Sequence, residues 1–326
     1  MRAAVCRAYG PPENVAVDDI PAPEIGPGQV RVRVDAGAVN FPDVLLVADR
    51  YQISVPPPFV PGSEFAGVVT EVAGDAGAVA VGERVAGTTL VGAFAEEVVV
   101  DAAAVRPVPA GVDLRHAAAS GVAHRTAYHV LRSVAGLRAG EDLVVLGAGG
   151  GVGLATVQLG ALLGATVTAV ASSAGKLLTA ADHGATRLID HRSVDLRQAL
   201  REAGGADVVV DPVGGALSEP ALRSLRWGGR FVTVGYASGD IPRIPLNLVL
   251  LKGVRVLGFE FRAFVAHAPD EFARNEGELD ALLAAGRVVP HIGAAFPLDE
   301  AAAALRFVAD GRAIGKVVVD VTLATG

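Results

Sequence analysis

Residues 142–176 read DLVVLGAGGGVGLATVQLGALLGATVTAVASSAGK, and no charged side chain lies between Asp142 and Lys176. A membrane span needs roughly 20 consecutive apolar residues. Here glycines at 147, 149–151 and 153, Gln158 and several hydroxyl residues interrupt the run, so it divides into shorter elements. DLVVLGA (142–148) is a buried-strand run, GLATVQLGALLGA a helix, and TVTAVAS (166–172) a second strand. Between the first strand and the helix lies a glycine-rich turn. In the G-x-G-x-x-G register Ala148 stands first, followed by Gly150 and Gly153. Such a turn exposes backbone N–H groups at a helix N-terminus, where a pyrophosphate is favoured by the unpaired donors and the helix dipole. Set between a strand and a helix inside a βαβ unit, it points to a dinucleotide held by Gly150, Gly151 and Val152.

Working outward, the alternation continues. KLLTAADHGA, LRQALREAGG and SEPALRSLRWGG read as helices between the strands RLID, ADVVVDPVGG, RFVTVGY and VRVLGFEF (254–261). Apolar strands alternating with helices imply a parallel sheet covered on both faces. Before residue 120 the texture is different. RVRVDAGAV (31–39), FAGVVTEVA (65–73), ERVAG (83–87) and FAEEVVVD (94–101) are short strands punctuated by PAPEIGPG and VPPPFVPG. A helical pattern over 117–136 joins the two regions. The helices DEFARNEGELDALLAAG and DEAAAALRFVADG and a last strand KVVVDVT close the chain.

The whole chain of 326 residues is 51 % apolar and 19 % charged, which excludes disorder and has room for two lobes. A net charge of −7 without charge blocks disfavours a nucleic-acid surface. Cys6 is the only cysteine, so an internal disulfide or a multi-cysteine metal site is impossible. The N-terminus shows no apolar core followed by a small-residue cleavage site, and the expected location is the cytoplasm with no membrane association.

Cofactor choice is read at the end of the second strand, where NAD sites carry an acid about 20 residues after the glycines. Here Ser172 and Ser173 stand there, with no acid before Asp182. Lys176 could neutralise a 2′-phosphate, with His191 and Arg192 completing the pocket, so NADPH is expected over NADH. The plainer reading of Lys176 is a solvated helix start.

The segments GAVNFPDVLL (37–46), VPGSEFAGVV (60–69), GAGGGVGLATVQL (147–159), DVVVDPVGG (207–215) and GKVVVDV (315–321), with GTT and GAFAEEVVV between 87 and 100, carry a resemblance over essentially the whole chain. They resemble the zinc-free, zeta-crystallin-like NADPH:quinone oxidoreductase branch of the medium-chain dehydrogenase/reductase superfamily. The resemblance implies an α/β protein: a GroES-like β-rich catalytic domain from 1–120 and 260–326, and a doubly wound Rossmann NADP-binding domain over 121–259. It implies a homodimer, with 254–261 as the candidate pairing edge. It places cofactor and acceptor in the cleft between the domains.

Zinc dehydrogenases of the superfamily bind metal through cysteine and a Gly-His-Glu turn. Here that turn is Gly62-Ser63-Glu64, so no metal is expected and Glu64 reads as structural. By resemblance, Asn40, Asp43 and Tyr51 line the acceptor side. Asn40 either donates to a developing oxyanion or orients the cofactor. Tyr51 is either a hydrogen-bond donor or an aromatic plug, and Asp43 either a supporting group or a loop cap. Thr126, Gly235, Tyr236 and Phe259 map onto contacts to the nicotinamide and its ribose, with Tyr236 narrowing the pocket. Lys316 either approaches a cofactor phosphate or is a surface lysine. His124 and His129, at i and i+5, share no helix face, and no carboxylate accompanies them in sequence. The implied function is hydride transfer from NADPH to a small-molecule acceptor, a quinone or an α,β-unsaturated carbonyl. Enoyl-thioester reduction and NADPH binding with little turnover are the alternatives.

Overall fold

The computed structural model describes residues 1–322 except 75 and 78. The chain divides into two compact units, one of Met1–Val122 with the segment from Val289 onward, the other of Ala123–Val288.

The first unit opens with an antiparallel pair, β1 (Arg2–Cys6) and β2 (Val15–Asp19). Strand β3 (Gln29–Val39) leads into helix α1 (Phe41–Val47), followed by β4 (Glu64–Val72), β5 (Arg84–Thr88), β6 (Glu97–Asp101), β7 (Val105–Pro107) and helix α2 (Leu114–Ser120). β3 is long enough to serve several partners. One edge pairs with β4, while the other meets β6 over its first half and the chain's last strand over its second.

The second unit starts with α3 (Ala123–His129), which runs into a π-helical turn at Val130–Val134. The continuous helical pattern over 117–136 is therefore broken at Gly121. A Cβ there would press on the Glu64 carboxylate and the Thr88 methyl. The unit then alternates β8 (Asp142–Leu146), α4 (Gly151–Leu162), β9 (Thr166–Ala171), α5 (Ala174–Asp182), β10 (Ala185–Asp190), α6 (Leu196–Glu202), β11 (Ala206–Asp211), α7 (Ser218–Ser224), β12 (Leu225–Thr233), α8 (Asn247–Lys252) and β13 (Arg255–Gly258). All six strands are parallel, in the order β10-β9-β8-β11-β12-β13. Counted along the chain this is 3-2-1-4-5-6, the Rossmann order. Alternation along each strand feeds two cores. Leu143 and Val145 pack under α3, α4 and α10 (Pro269–Ala284), while Val144 and Leu146 pack with Leu200 of α6 and Leu222 of α7 on the opposite face.

The sequence-based boundary at 260 moves to 289. Helices α9 (Phe261–His267) and α10 belong to the second unit, because α10 buries Asn275, Glu276, Leu279 and Leu283 there. Only β14 (Ile292–Pro297), α11 (Ala301–Ala309) and β15 (Lys316–Asp320) return to the first unit, where β15 slots between β14 and β3. Among the described residues no helix is long and apolar enough to cross a membrane.

A buried cation ties the parallel sheet to the turn before it. Arg230 of β12 donates to the Ala135 carbonyl (3.0 Å) and to both carboxylate oxygens of Glu141 (3.0 and 2.6 Å). Burial would raise the Glu141 carboxyl, but bonds from Arg230 and Arg138 outweigh it and hold it down to about 2. Its contribution is thus fully present above the ordinary value of 4.5 and is lost as pH falls from there towards 2. Arg230→Met is expected to lower stability by about 3 kcal/mol, because it removes one partner of a buried pair. Urea unfolding at neutral pH measures this loss, and the wild-type advantage should shrink between about pH 4.5 and 2.

Candidate active site

Two constellations assemble, one in each unit. In the second unit the turn after β8 begins at Gly147, whose φ of +60° favours glycine. The tight-turn role thus falls one residue before Ala148. Gly150 is the N-cap of α4, and its own N–H is spent on the Gly147 carbonyl at 2.9 Å. The amides of Gly151 and Val152 open the helix, where no preceding turn can accept them. A Cβ at Gly153 would collide with the Gly147 carbonyl, so only glycine lets the helix start this close to the strand end.

The residues expected around a 2′-phosphate gather beside this turn. The Lys176 side chain lies against Gly149, so closely that a Cβ there would strike its Cβ and Cγ. Ser173 caps α5, accepting the Lys176 N–H at 3.4 Å, and Ser172 is the half-buried residue before it. The His191 N–H donates to the Ala171 carbonyl, which sets the end of β10 beside the end of β9. Arg192 follows, and burial together with repulsion from Arg192 pushes the Lys176 ammonium below its ordinary pKa. Two cations that repel each other beside a glycine turn, with no carboxylate at the end of β9, form a local field suited to an anion.

Other members of the expected set are more dispersed. Thr126 is buried on α3. Tyr236, after Gly235, remains more than a third exposed, and its loop is bonded to the loop after β11 through Ala237 and Ser238. Phe259 sits in an aromatic cluster with Phe261, Phe264 and His129, at centroid distances of 6.1, 5.6 and 6.2 Å. His129 does have a carboxylate partner: its Nε2 lies 3.0 Å from Glu276, which also pairs with Arg125 at 2.7 Å. That partner is 147 residues away in sequence, which is why spacing does not reveal it. Asp211, also unforeseen, is buried at the end of β11 and accepts from the Val213 and Gly214 amides and the Ser218 hydroxyl.

In the first unit, β3, α1, β4 and β15 bring Asn40, Asp43, Ser63, Glu64 and Lys316 into one network. Lys316 is neither on the surface nor directed at a cofactor phosphate. It is 3 % exposed, ion-paired with the fully buried Glu64, and donates to Asn40 Oδ1 (2.7 Å) and the Val39 carbonyl (3.2 Å). The expectation fails because β15 enters the middle of the sheet, so the first residue of the strand faces the Glu64 carboxylate on β4. Asn40 Nδ2 donates to Glu64 Oε1 (2.9 Å), with Ser63 Oγ (3.3 Å) and the Ala38 carbonyl (3.4 Å) beyond. Glu64 Oε2 accepts the Val122 N–H at 2.6 Å. In this arrangement the Asn40 amide is spent at both ends, so it orients its neighbours and has no hydrogen left for an oxyanion. Asp43 caps α1, taking the Asn40 N–H at 2.7 Å on Oδ2, while its buried Oδ1 meets no hydrogen-bond donor among the described residues. Burial pushes its carboxyl up to about 7 against the Asn40 amide, Ser63 and Lys316, which act to lower it. Tyr51 packs half-buried against this unit's core, and its hydroxyl accepts from Gln52 at 3.5 Å.

Comparison with known proteins follows the same division. Residues 26–110 match the alcohol dehydrogenase GroES-like domain, and residues 151–275 match the domain described as zinc-binding dehydrogenase. The quinone oxidoreductase-like protein 2 of Bos taurus is 35 % identical over 98 % of this chain and 92 % of its own length. A spectinabilin polyketide synthase system protein of Streptomyces orinoci is 37 % identical over 93 % of this chain, which spans only 14 % of that protein. The quinone oxidoreductase of Thermus thermophilus, solved also as its NADPH complex, superposes with a TM-score of 0.86 at 33 % identity, covering 98 % of this chain and all of that one. The chain belongs to the quinone oxidoreductase branch of the medium-chain dehydrogenase/reductase superfamily, and it is an oxidoreductase of that superfamily.

Removing the Lys316 ammonium leaves Glu64 charged, buried and without a cation. Lys316→Met is expected to cost about 3–5 kcal/mol in chemical denaturation. The double variant Lys316→Met/Glu64→Gln should recover much of that, because the uncompensated charge is gone.

Proposed function

We propose that this protein is an NADPH-dependent, zinc-independent oxidoreductase that reduces a quinone or an α,β-unsaturated carbonyl. The observation that carries the cofactor assignment is Lys176 laid over the glycine turn with Arg192 beside it. A 2′-phosphate would relieve their repulsion, whereas the ribose hydroxyl of NADH offers no such charge. Gly150, Gly151 and Val152 would hold the pyrophosphate at the start of α4. Thr126, Gly235, Tyr236 and Phe259 are the proposed neighbours of the nicotinamide end. When bound, NADPH supplies the hydride, and the chain's own task is to orient the acceptor and keep water out.

Zinc independence is supported by the donor set. Glu64 is committed to Lys316, Asn40 and the Val122 amide, Ser63 stands before it, and among the described residues no three His, Cys, Asp or Glu side chains group as metal ligands. The similarity to quinone oxidoreductases supports a quinone or enone acceptor. The match to a segment of a polyketide synthase system protein supports a second reading, an enoyl thioester, which presents the same conjugated carbonyl. A homodimer is supported by β13. Among the described residues it pairs with β12 alone, and Val256, Trp227, Leu250 and Leu251 are exposed on or near that edge of the sheet.

NADPH consumption with phenanthrenequinone, benzoquinone, short enones and crotonyl-CoA tests the function. Turnover of quinones or enones that survives a strong chelator is expected. Preference for crotonyl-CoA would favour the thioester reading, and tight NADPH binding without any turnover would leave only a binding protein. Lys176→Ala should raise the KM for NADPH roughly tenfold or more, about 1.4 kcal/mol of charge-assisted bonding, while the KM for NADH stays nearly unchanged. Equal losses for both cofactors would overturn the phosphate assignment.

A further inference from the structure

We infer that Ser63 is a catalytic proton donor, with the buried Asp43 carboxyl behind it as the proton store. This rests on the reductase reading above and assigns to that site the proton that the reaction needs besides the hydride.

The hydrogen bonds of the network lead to these two residues. Lys316 spends its hydrogens on Glu64, Asn40 and Val39. Asn40 shares its two amide hydrogens among Glu64, Ser63 and Ala38. Glu64 accepts from Lys316, Asn40 and Val122. What remains is the Ser63 hydroxyl, whose hydrogen bond links it to the Asp43 carboxyl, and one oxygen of that carboxyl, Oδ1, which is buried and meets no donor among the described residues. A buried carboxylate oxygen without a donor is costly when charged, and a proton on it removes the cost. Ser63 is also the one member of the five that is not buried. Its oxygen accepts from Asn40 Nδ2 and lies beside the Asp43 carboxyl, so that once that carboxyl carries a proton and donates to Ser63 Oγ, the Ser63 hydrogen can turn outward. Lys316 from β15 and Glu64 from β4 are the charged groups facing Asp43, acting in opposite directions. The carboxyl therefore stays close enough to neutral pH to give up and regain a proton.

Hydride adds to the acceptor and leaves an oxyanion on it. The Ser63 Oγ–H bond breaks as its proton joins that oxygen. Ser63 Oγ takes the proton from Asp43, and, after the product leaves, the Asp43 carboxylate regains one from a solvent hydronium ion by way of the half-buried Ser63 hydroxyl. Net, the acceptor gains a hydride and a proton, and the protein returns to its starting state.

The test is steady-state kinetics on the full chain with NADPH and two acceptors, a cyclic enone and benzoquinone. Ser63→Ala is expected to lower kcat for the enone on the order of 100-fold. The KM for NADPH should stay within about twofold, and Ser63→Thr should restore most of the rate. Benzoquinone, whose reduced oxyanion is less basic than an enolate, should suffer less. In wild type, kcat for the enone should fall as pH rises through about 7, and Asp43→Asn should abolish that dependence. A Ser63→Ala enzyme with unchanged enone turnover and pH profile overturns the inference. So does a Ser63→Ala enzyme whose two acceptors and NADPH KM decline together. A wild-type protein that reduces none of the acceptors overturns the reductase reading itself, and the inference falls with it.

Discussion

The first unit depends on a charge pair taken out of water. Glu64 and Lys316 come from strands that are 252 residues apart in sequence and meet where neither can be solvated. Desolvating both ions is expensive, and the cost is offset only because every remaining polar valence finds a partner: the Val122 amide, the Asn40 amide and the Val39 carbonyl. Such a pair contributes more to uniqueness than to stability. It fixes β15 against β3 and β4 in one register and locks the Asn40 amide in one orientation, so the loop from Asn40 into α1 has a defined geometry.

The second unit clears space around its glycine turn and draws cations to it. Glycines at 147, 149 and 153 remove the side chains that would fill the turn, and the side chain that enters instead is the aliphatic stem of Lys176. With Arg192 nearby and no acid at the end of β9, the turn sits in a positive local field. The two units thus differ in their electrostatics: one pairs its charges inside a sheet, the other gathers two cations beside a glycine turn.

Much of this is legible in the sequence, and what is not has a physical reason. The parallel sheet is readable because its central strands bury both faces and its connections hold helices, and the glycine turn because its spacing is local. The neighbourhood of Lys176 is legible for the same reason. Lys316 misleads because an isolated lysine before a strand reads as surface or ligand-binding, and its partner is known only once β15 is placed. His129 looks solitary because its carboxylate arrives on α10, a helix that sequence alone assigns to the other domain. Glu64 reads correctly as structural from the missing histidine, but the network around it needs three strands in register. Local spacing carries local chemistry, whereas buried ion pairs are properties of topology.

The division of the first unit has a consequence for synthesis. A chain emerging from its N-terminus makes β3 and β4 early, yet the edge of β3 at Ala36–Val39 has no partner until residues 316–320 have appeared. During that interval an apolar strand edge lies open to pairing with other chains, and the Glu64 carboxylate waits hydrated. The second unit, contiguous from Ala123 to Val288, can complete its core in the meantime. Strand β15 then acts as the clasp, and a truncation that removes it would leave this apolar edge of β3 uncovered.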